Sequence, residues 1–393
     1  MNPTAKLARS ITWASSKQSY ITARLLADRD LADDCLRAYA YFRWADDIID
    51  ISLRSAEERT SFIARQETLI EQLYRGERPA HLCPEEEMLA DLIAHDRSFV
   101  GAQDKGPESG LQSFIRNFMA VIAFDATRLG RLVSRNELAA YTACLATAVM
   151  DGLLYFIGNN HSYPQTPDRN LAVIGAHITH ILRDILEDVP AGFINIPAED
   201  IKAFGIKIAD VESEPFRRWV RGQVEQARAY FQAGKGYINS LDVLRAKLAG
   251  VWYCARFERI LNFIERDGFR LRRAYPERHG LGAWLEIVRL GILVTAKHLA
   301  GRITLAFPYT SRQVAFNSEG CGQPSGGDPS KKRLSGWESL LAGGRGFEPL
   351  STDPESVVLP LDEPPSLMPR TPVGRETALL QRAVFYHAGR ISV

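Results

Sequence analysis

The sequence is poor in cysteine and carries almost no net charge. Its five cysteines, Cys35, Cys83, Cys144, Cys254 and Cys321, stand singly along 393 residues with no C-x-x-C pair. An odd, scattered set excludes a disulfide framework and a thiolate zinc site, and suits a reducing compartment. The 48 basic and 47 acidic side chains leave a formal charge of +1, and no long basic run makes a local field. That balance offers no general grip on a phosphate backbone, so nucleic acid is not an expected partner. Alternating strand patterns bounded by hairpin turns are nearly absent. The N-terminus places Lys6, Arg9, Lys17 and Arg24 before the first acid, Asp28, in the manner of an amphipathic transit segment. It has no continuous apolar core of the secretory kind.

What is present is helical periodicity. Apolar residues recur at three- and four-residue steps over 31–51, 55–74, 86–99, 111–129, 138–158, 170–188, 215–249 and 251–273. Ser55 with Glu58 has the spacing of a capping box, Thr166-Pro167-Asp168 reads as a second helix start, and Gly158-Asn159-Asn160 as a stop. Without a detectable repeat, these segments predict a single-core, all-α fold. The segment 138–158 is long enough to span a bilayer, but Asp151 lies well inside it. It reads as a buried core helix of a cytoplasmic protein, with room for peripheral membrane contact.

Composition changes after Tyr309. Nine of the 20 prolines and ten of the 29 glycines fall in the last 84 residues. Such a segment buries too little apolar surface to offset its ordering entropy, so a domain over 1–309 and a disordered tail over 310–393 are expected.

Two acidic helices carry the chemistry. In AYAYFRWADDIID (38–50), Tyr39, Arg43, Asp46 and Asp50 follow steps of four, three and four, and so share a helix face. In HITHILRDILED (177–188), His177, His180, Asp184 and Asp188 make a second row, flanked by Arg183 and Glu187. A solvated acidic face is the bland reading of either row alone. Both rows, however, sit in the most apolar parts of the chain, where carboxylates must be paired or bound to metal. Hard oxygen donors in two rows suit Mg²⁺ bridging carboxylates to substrate phosphates.

With Ser16-Lys17-Gln18-Ser19-Tyr20 near the start and FERILNFIERDGF at 257–269, these motifs resemble those of the squalene/phytoene synthase family in order and spacing, over residues 10–280. The resemblance implies an all-α isoprenoid-synthase-type helical bundle around a central cavity. It further implies a prenyltransferase that ionises an allylic prenyl diphosphate and joins it head-to-head to a second one. Prenyl transfer to another acceptor, cyclisation of a shorter donor, and a non-catalytic assembly protein of the same fold remain alternatives. The implied ligands for Mg²⁺, with Mn²⁺ as the substitute, are Asp46, Asp50, His180, Asp184 and Asp188. Ser16, Lys17, Arg43 and Arg183 would bind diphosphate. Arg43, Arg183, Tyr39 and Tyr141 would serve the ionised intermediate, with Phe257 as a further shielding ring. The tyrosines and Phe257 also fit as plain core aromatics.

Three departures from the family pattern bear on specificity. His177 and His180 replace the usual Gln and Asn; His180 is a ligand for a softer metal, a hydrogen-bond donor to diphosphate, or a packed core residue. As a ligand, its protonation would cost activity below about pH 6.5. Thr147 and Met150 replace glycines expected along a prenyl tunnel, which would shorten the accepted chain. VPAGFINIP (189–197) lacks the basic residue expected after its glycine.

Overall fold

A computed structural model describes residues 2–53, 55–100, 109–159, 161 and 163–306. The expected tail over 310–393 lies outside the described residues. Twelve α-helices and no strand occur among them, so the all-α expectation holds. The first half comprises α1 (Pro3–Ser15), α2 (Lys17–Leu26), α3 (Ala32–Asp47), α4 (Ala56–Arg75), α5 (Pro84–Val100) and α6 (Gly110–Arg128). The second comprises α7 (Arg135–Ile157), α8 (Leu171–Ala191), α9 (Ala198–Phe204), α10 (Glu214–Ser240), α11 (Leu244–Arg266) and α12 (Leu281–Ala306).

Local chemistry sets most of the boundaries. Ser55 and Glu58 close the expected capping box on α4, and Ser134 with Glu137 closes another on α7. Gly158 ends α7, and Asn159 follows with a φ of 53°. The chain from Thr166 makes a turn before α8 starts at Leu171, one turn later than the Thr-Pro-Asp signal suggests. The break between the two longest expected segments falls at Leu241–Val243 rather than at Gly250, which lies inside α11. A Cβ on Gly250 would stand 2.8 Å from Ile238 Cγ2, so this glycine serves the close approach of α10 and α11. Gly234 does the same between α10 and α8, where a Cβ would meet the Ala172 backbone nitrogen at 2.2 Å.

Helix α8 is the hub. It is buried on nearly every side and packs against α7, α10 and α11. The main core runs from Tyr41, Phe42 and Ala45 of α3 through Ile178, Leu182 and Ile185 of α8 to Phe257, Ile260 and Ile264 of α11. Among the described residues, α7 is the one helix with the length and apolarity to cross a membrane, and 61% of its apolar window is buried. The acid in the middle of that helix is also satisfied internally. Asp151 pairs with Arg169 and accepts from Ser113 Oγ at 2.6 Å.

Candidate active site

Six helices wall an apolar cavity of about 190 Å³, among them α2 through Thr22 and α6 through Phe114 and Phe118. Helix α3 contributes Tyr39 and Phe42, α8 contributes His177 and His180, and α11 contributes Tyr253 and Phe257. From α7 come Leu145, Val149, Gly152 and Leu153. Both acidic rows thus belong to helices that line one cavity, and each row continues beyond the wall: Arg43 and Asp46 follow Tyr39, and Asp184 and Asp188 follow His180.

Burial compels these charges to be paired. On α3, Arg43 is buried, its Nε donating to Asp47 Oδ2 at 3.2 Å, with Asp46 Oδ2 3.9 Å from its Nη1. Burial works against the guanidinium's charge, but Asp46 and Asp47 outweigh it and hold its pKa above the ordinary value. Asp47, unremarked in the sequence pattern, is therefore the closer partner. Helix α3 ends there, and a π-helical turn spans Ile48–Ser52, with the Leu53 amide donating to the Ile48 carbonyl at 3.0 Å. Asp50 consequently does not keep the α-helical register assumed from its spacing. Its side chain lies outside the described residues.

On α8, Arg183 donates through Nε and Nη2 to its neighbour Asp184, both at 2.6 Å. Burial alone would raise the Asp184 pKa; Arg183 and His180 overcome it and hold the carboxyl well below the usual range. His180 Nε2 lies 3.0 Å from Asp184 Oδ2 without the alignment of a hydrogen bond, so this buried nitrogen has no hydrogen-bond partner among the described residues. Burial and the nearby Arg183 push the imidazole down to about 4. The expected acid limb near pH 6.5 therefore moves down with it, because the ring stays neutral until the solution approaches that lower value.

Asp188 is different. It is buried, and burial together with the charge of Asp184 raises its pKa well above the ordinary value. Its Oδ2 accepts from Asn195 Nδ2 at 2.7 Å, and Asn195 Oδ1 accepts from Arg128 Nη1 at 2.8 Å. Arg128 is ion-paired with Asp125, and Asp125 Oδ2 accepts from the Tyr141 hydroxyl at 2.9 Å. The Arg128 guanidinium also stands 5.0 Å from the ring centre of Phe193, the residue after Gly192 where the family pattern has its basic side chain. A buried arginine from the end of α6 thus brings positive charge to the loop that lacks its own.

Several expected positions are relocated. Tyr141 is buried in this network rather than on the cavity wall, its ring centre 5.9 Å from that of His177. Ser16 caps α2, accepting from the Ser19 amide at 3.1 Å. Lys17 is exposed, its ammonium 5.6 Å from the Trp13 ring centre. Thr147 and Met150 do not line the cavity: Thr147 Oγ1 accepts from Asn170 Nδ2 at 3.1 Å, and Met150 is buried in the main core. The α7 face that meets the cavity is instead Leu145, Val149, Gly152 and Leu153. Tyr253 on that wall, and the chain of Arg128, Asn195 and Asp125, escaped the sequence reading. No helical period singles out Arg128.

The family model described as "Squalene/phytoene synthase" matches residues 13–279. The chain belongs to that family. Within it, a 15-cis-phytoene synthase of Synechocystis sp. is 31% identical over 109 residues, 26% of this chain and 32% of that protein. A chloroplastic phytoene synthase 2 of Zea mays is 29% identical over 110 residues, 26% of this chain and 27% of that one. The aligned stretches thus span about a third or less of these relatives. Among solved structures, squalene synthase HpnC of Alicyclobacillus acidocaldarius superposes with a TM-score of 0.53 at 18% identity, covering 68% of this chain and 95% of that one. A dehydrosqualene synthase in complex with ligand gives 0.55 at 17% identity, covering 76% and 97%. At those identities the superpositions speak for the fold, and the residues that line the cavity fall within the matched stretch 13–279.

The donor set of this family member fits a hard divalent cation. Asp46, Asp184 and Asp188 offer carboxylate oxygens, and His180 Nε2 is a buried polar atom with no hydrogen-bond partner among the described residues. No group of three such donors converges on a single point among the described residues. A cation held here would thus need oxygens from a bound substrate to complete its shell.

Proposed function

We propose that this chain is a Mg²⁺-dependent prenyltransferase that ionises an allylic prenyl diphosphate and condenses the resulting cation with a second prenyl diphosphate, head-to-head. The observation that carries this reading is an apolar cavity walled both by Tyr39 of the first acidic helix and by His177 and His180 of the second. Hydrocarbon chains fill such a cavity, and diphosphates sit beyond it on the charged rows.

Asp46 and Asp50 on one side and Asp184 and Asp188 on the other would hold the metal. Bound there, it would neutralise charge on the departing diphosphate. Arg43 and Arg183 are held by carboxylates in the unliganded protein. Phosphate oxygens can replace those carboxylates, freeing the aspartates as the arginines turn to the substrate. The C–O bond then breaks with its electron pair leaving on the diphosphate, and the π electrons of the second chain form the new bond to the allylic carbon. The cation left on that chain is quenched by loss of a proton, its own diphosphate staying attached until a second ionisation. Tyr39, Tyr253 and Phe257 present aromatic groups to the cavity that can shield the cation, and the apolar wall excludes water that would quench it. Product identity follows from how far each chain penetrates.

The deciding experiment is incubation with C5, C10, C15 and C20 allylic diphosphates, with and without Mg²⁺, followed by product identification. Absence of metal-dependent diphosphate release with all four would reject the assignment. Two variants refine it. Val149→Phe fills the cavity wall, and each methylene excluded costs roughly 0.8 kcal/mol, so kcat/KM should fall most for the longest accepted donor. Thr147→Gly with Met150→Gly should leave donor preference unchanged, because neither side chain reaches the cavity. The opposite pattern in the two variants would place the prenyl chain on the other face of α7. In His180→Asn, activity supported by Mn²⁺ or Co²⁺ relative to Mg²⁺ should drop if the imidazole is a ligand. An unchanged ratio would leave His180 as a hydrogen-bond donor to diphosphate or a packed core residue.

A further inference from the structure

Asp188 stands where three effects oppose a carboxylate. It is buried, Asp184 lies one turn before it on the same row, and it falls in the last turn of α8, at the negative end of the helix dipole. An apolar side chain there would cost the fold less. The protein instead devotes a chain of buried polar groups, from α6, α7 and the loop after α8, to holding it.

That chain runs in one direction. The Tyr141 hydroxyl donates to Asp125, and the Arg128 guanidinium pairs with the same carboxylate, which fixes the arginine at the end of α6. Phe124, Tyr141 and Phe193 surround the guanidinium, their ring centres 5.7, 5.6 and 5.0 Å away. Arg128 Nη1 donates to Asn195 Oδ1, and Asn195 Nδ2 donates to Asp188 Oδ2. A guanidinium offers donors only, so the Asn195 oxygen must face Arg128 and its NH₂ must face Asp188. The loop backbone is pinned on both sides of Asn195. The Gly130 amide donates to the Gly192 carbonyl at 2.9 Å, and the Ala198 amide donates to the Val133 carbonyl at 3.0 Å. Asn195 and Arg128 are thus both buried and held by the fold itself. The amide takes one oxygen of Asp188, which sets the rotation of the carboxylate and leaves the lone pairs of Oδ1 for a ligand.

Given the metal-holding role of Asp188 proposed above, we infer that Asn195, oriented by Arg128, is a positioning residue that sets this carboxylate in its ligand orientation. Asn195 acts through Asp188 and not on the substrate. Partners of this kind, one step behind a ligating carboxylate, govern affinity because they remove the freedom the ligand would otherwise lose on binding.

The test is equilibrium dialysis of the full chain against Mn²⁺ at a fixed concentration of inorganic diphosphate, which reports metal held on the protein without turnover. The parent chain should retain Mn²⁺ and diphosphate together. Asn195→Leu removes the donor to Asp188 and keeps the Arg128–Asp125 pair. It should weaken Mn²⁺ retention about 10- to 100-fold, the usual cost of losing a partner of a metal-ligating side chain. Asn195→Ala introduces no clash and leaves room for water on Arg128, so it serves if the leucine variant does not fold, and it should weaken retention in the same direction. Ser113→Ala takes a donor from a different buried aspartate, Asp151, and should leave retention unchanged. A parent chain that retains no Mn²⁺ would overturn the metal site and this positioning role together. Parent retention matched within about threefold by both Asn195 variants would overturn the positioning role alone. So would a Ser113→Ala chain weakened as much as they are.

Discussion

Asp46→Asn and Asp184→Asn are each expected to reduce diphosphate release from an allylic donor on the order of 10²-fold or more, the scale of losing one preorganised charge-stabilising group. The substitutions keep side-chain shape and remove only charge. Asp46 is buried beside Arg43, and Asp184 is hydrogen-bonded to Arg183, so neither supplies core volume. Helix content by circular dichroism should therefore match the parent protein. The apolar cavity is untouched, so KM should move less than kcat. In Asp184→Asn, Arg183 no longer faces that carboxylate's charge and can bind diphosphate more readily in the ground state, which would lower KM while kcat collapses. Turnover within about threefold of the parent in either variant would refute the two-row site.

Arg128→Leu should be the most damaging substitution to stability. It leaves Asp125 without its cation and Asn195 without its donor, both in the interior next to Asp188. Breaking a buried pair on one side costs about 3–5 kcal/mol, which corresponds to a fall in Tm on the order of 10 °C. The loss should depend on pH in a definite direction. Asp188 already has a raised pKa in the folded protein, from burial first and the Asp184 charge second, while Arg128 works to lower it. A carboxyl whose folded pKa lies above its unfolded value binds more protons in the native state. Its contribution to stability is largest at low pH and declines as pH rises from the ordinary carboxylate range through the raised value. Removing Arg128 raises that pKa further, so the destabilisation should be smaller near pH 5 than near pH 8, a comparison made at about those values. Because metal must displace that proton, metal affinity should also weaken toward acid. Asn195→Leu, which keeps the Arg128–Asp125 pair, should cost only about 1–3 kcal/mol. An Arg128→Leu protein that melts with the parent at both pH values would show that this network is solvated rather than buried.

How much of the site was legible depended on the range of the interactions involved. Tyr39, Arg43 and Asp46, like His180, Asp184 and Asp188, are neighbours within one helix, and the helical repeat alone places them together. The capping box at Ser55 is legible for the same reason. Arg128 was not, because its partner Asn195 lies 67 residues away and no local period connects them. The backbone register of Asp50 was not legible either, because a π-turn, which composition does not announce, follows Asp47 directly.

The sequence by itself determined an all-α chain, two aspartate rows with their arginines, and membership of a family whose motifs occur in the right order. Helical geometry turns spacing into shared faces without reference to the rest of the molecule. Only the tertiary structure decided which face of each helix meets the cavity. Helix α7 is apolar all round, so Thr147 and Met150 were as plausible a wall as Val149 and Gly152 until packing against α6 and α8 fixed its orientation. Tyr141 is expected among the active-site aromatics by motif, and its contacts, the hydroxyl on Asp125 and the ring beside His177, come from the tertiary structure alone. Where a helix carries hydrophobic residues on every side, periodicity holds no information about orientation, and the docking of its neighbours supplies it.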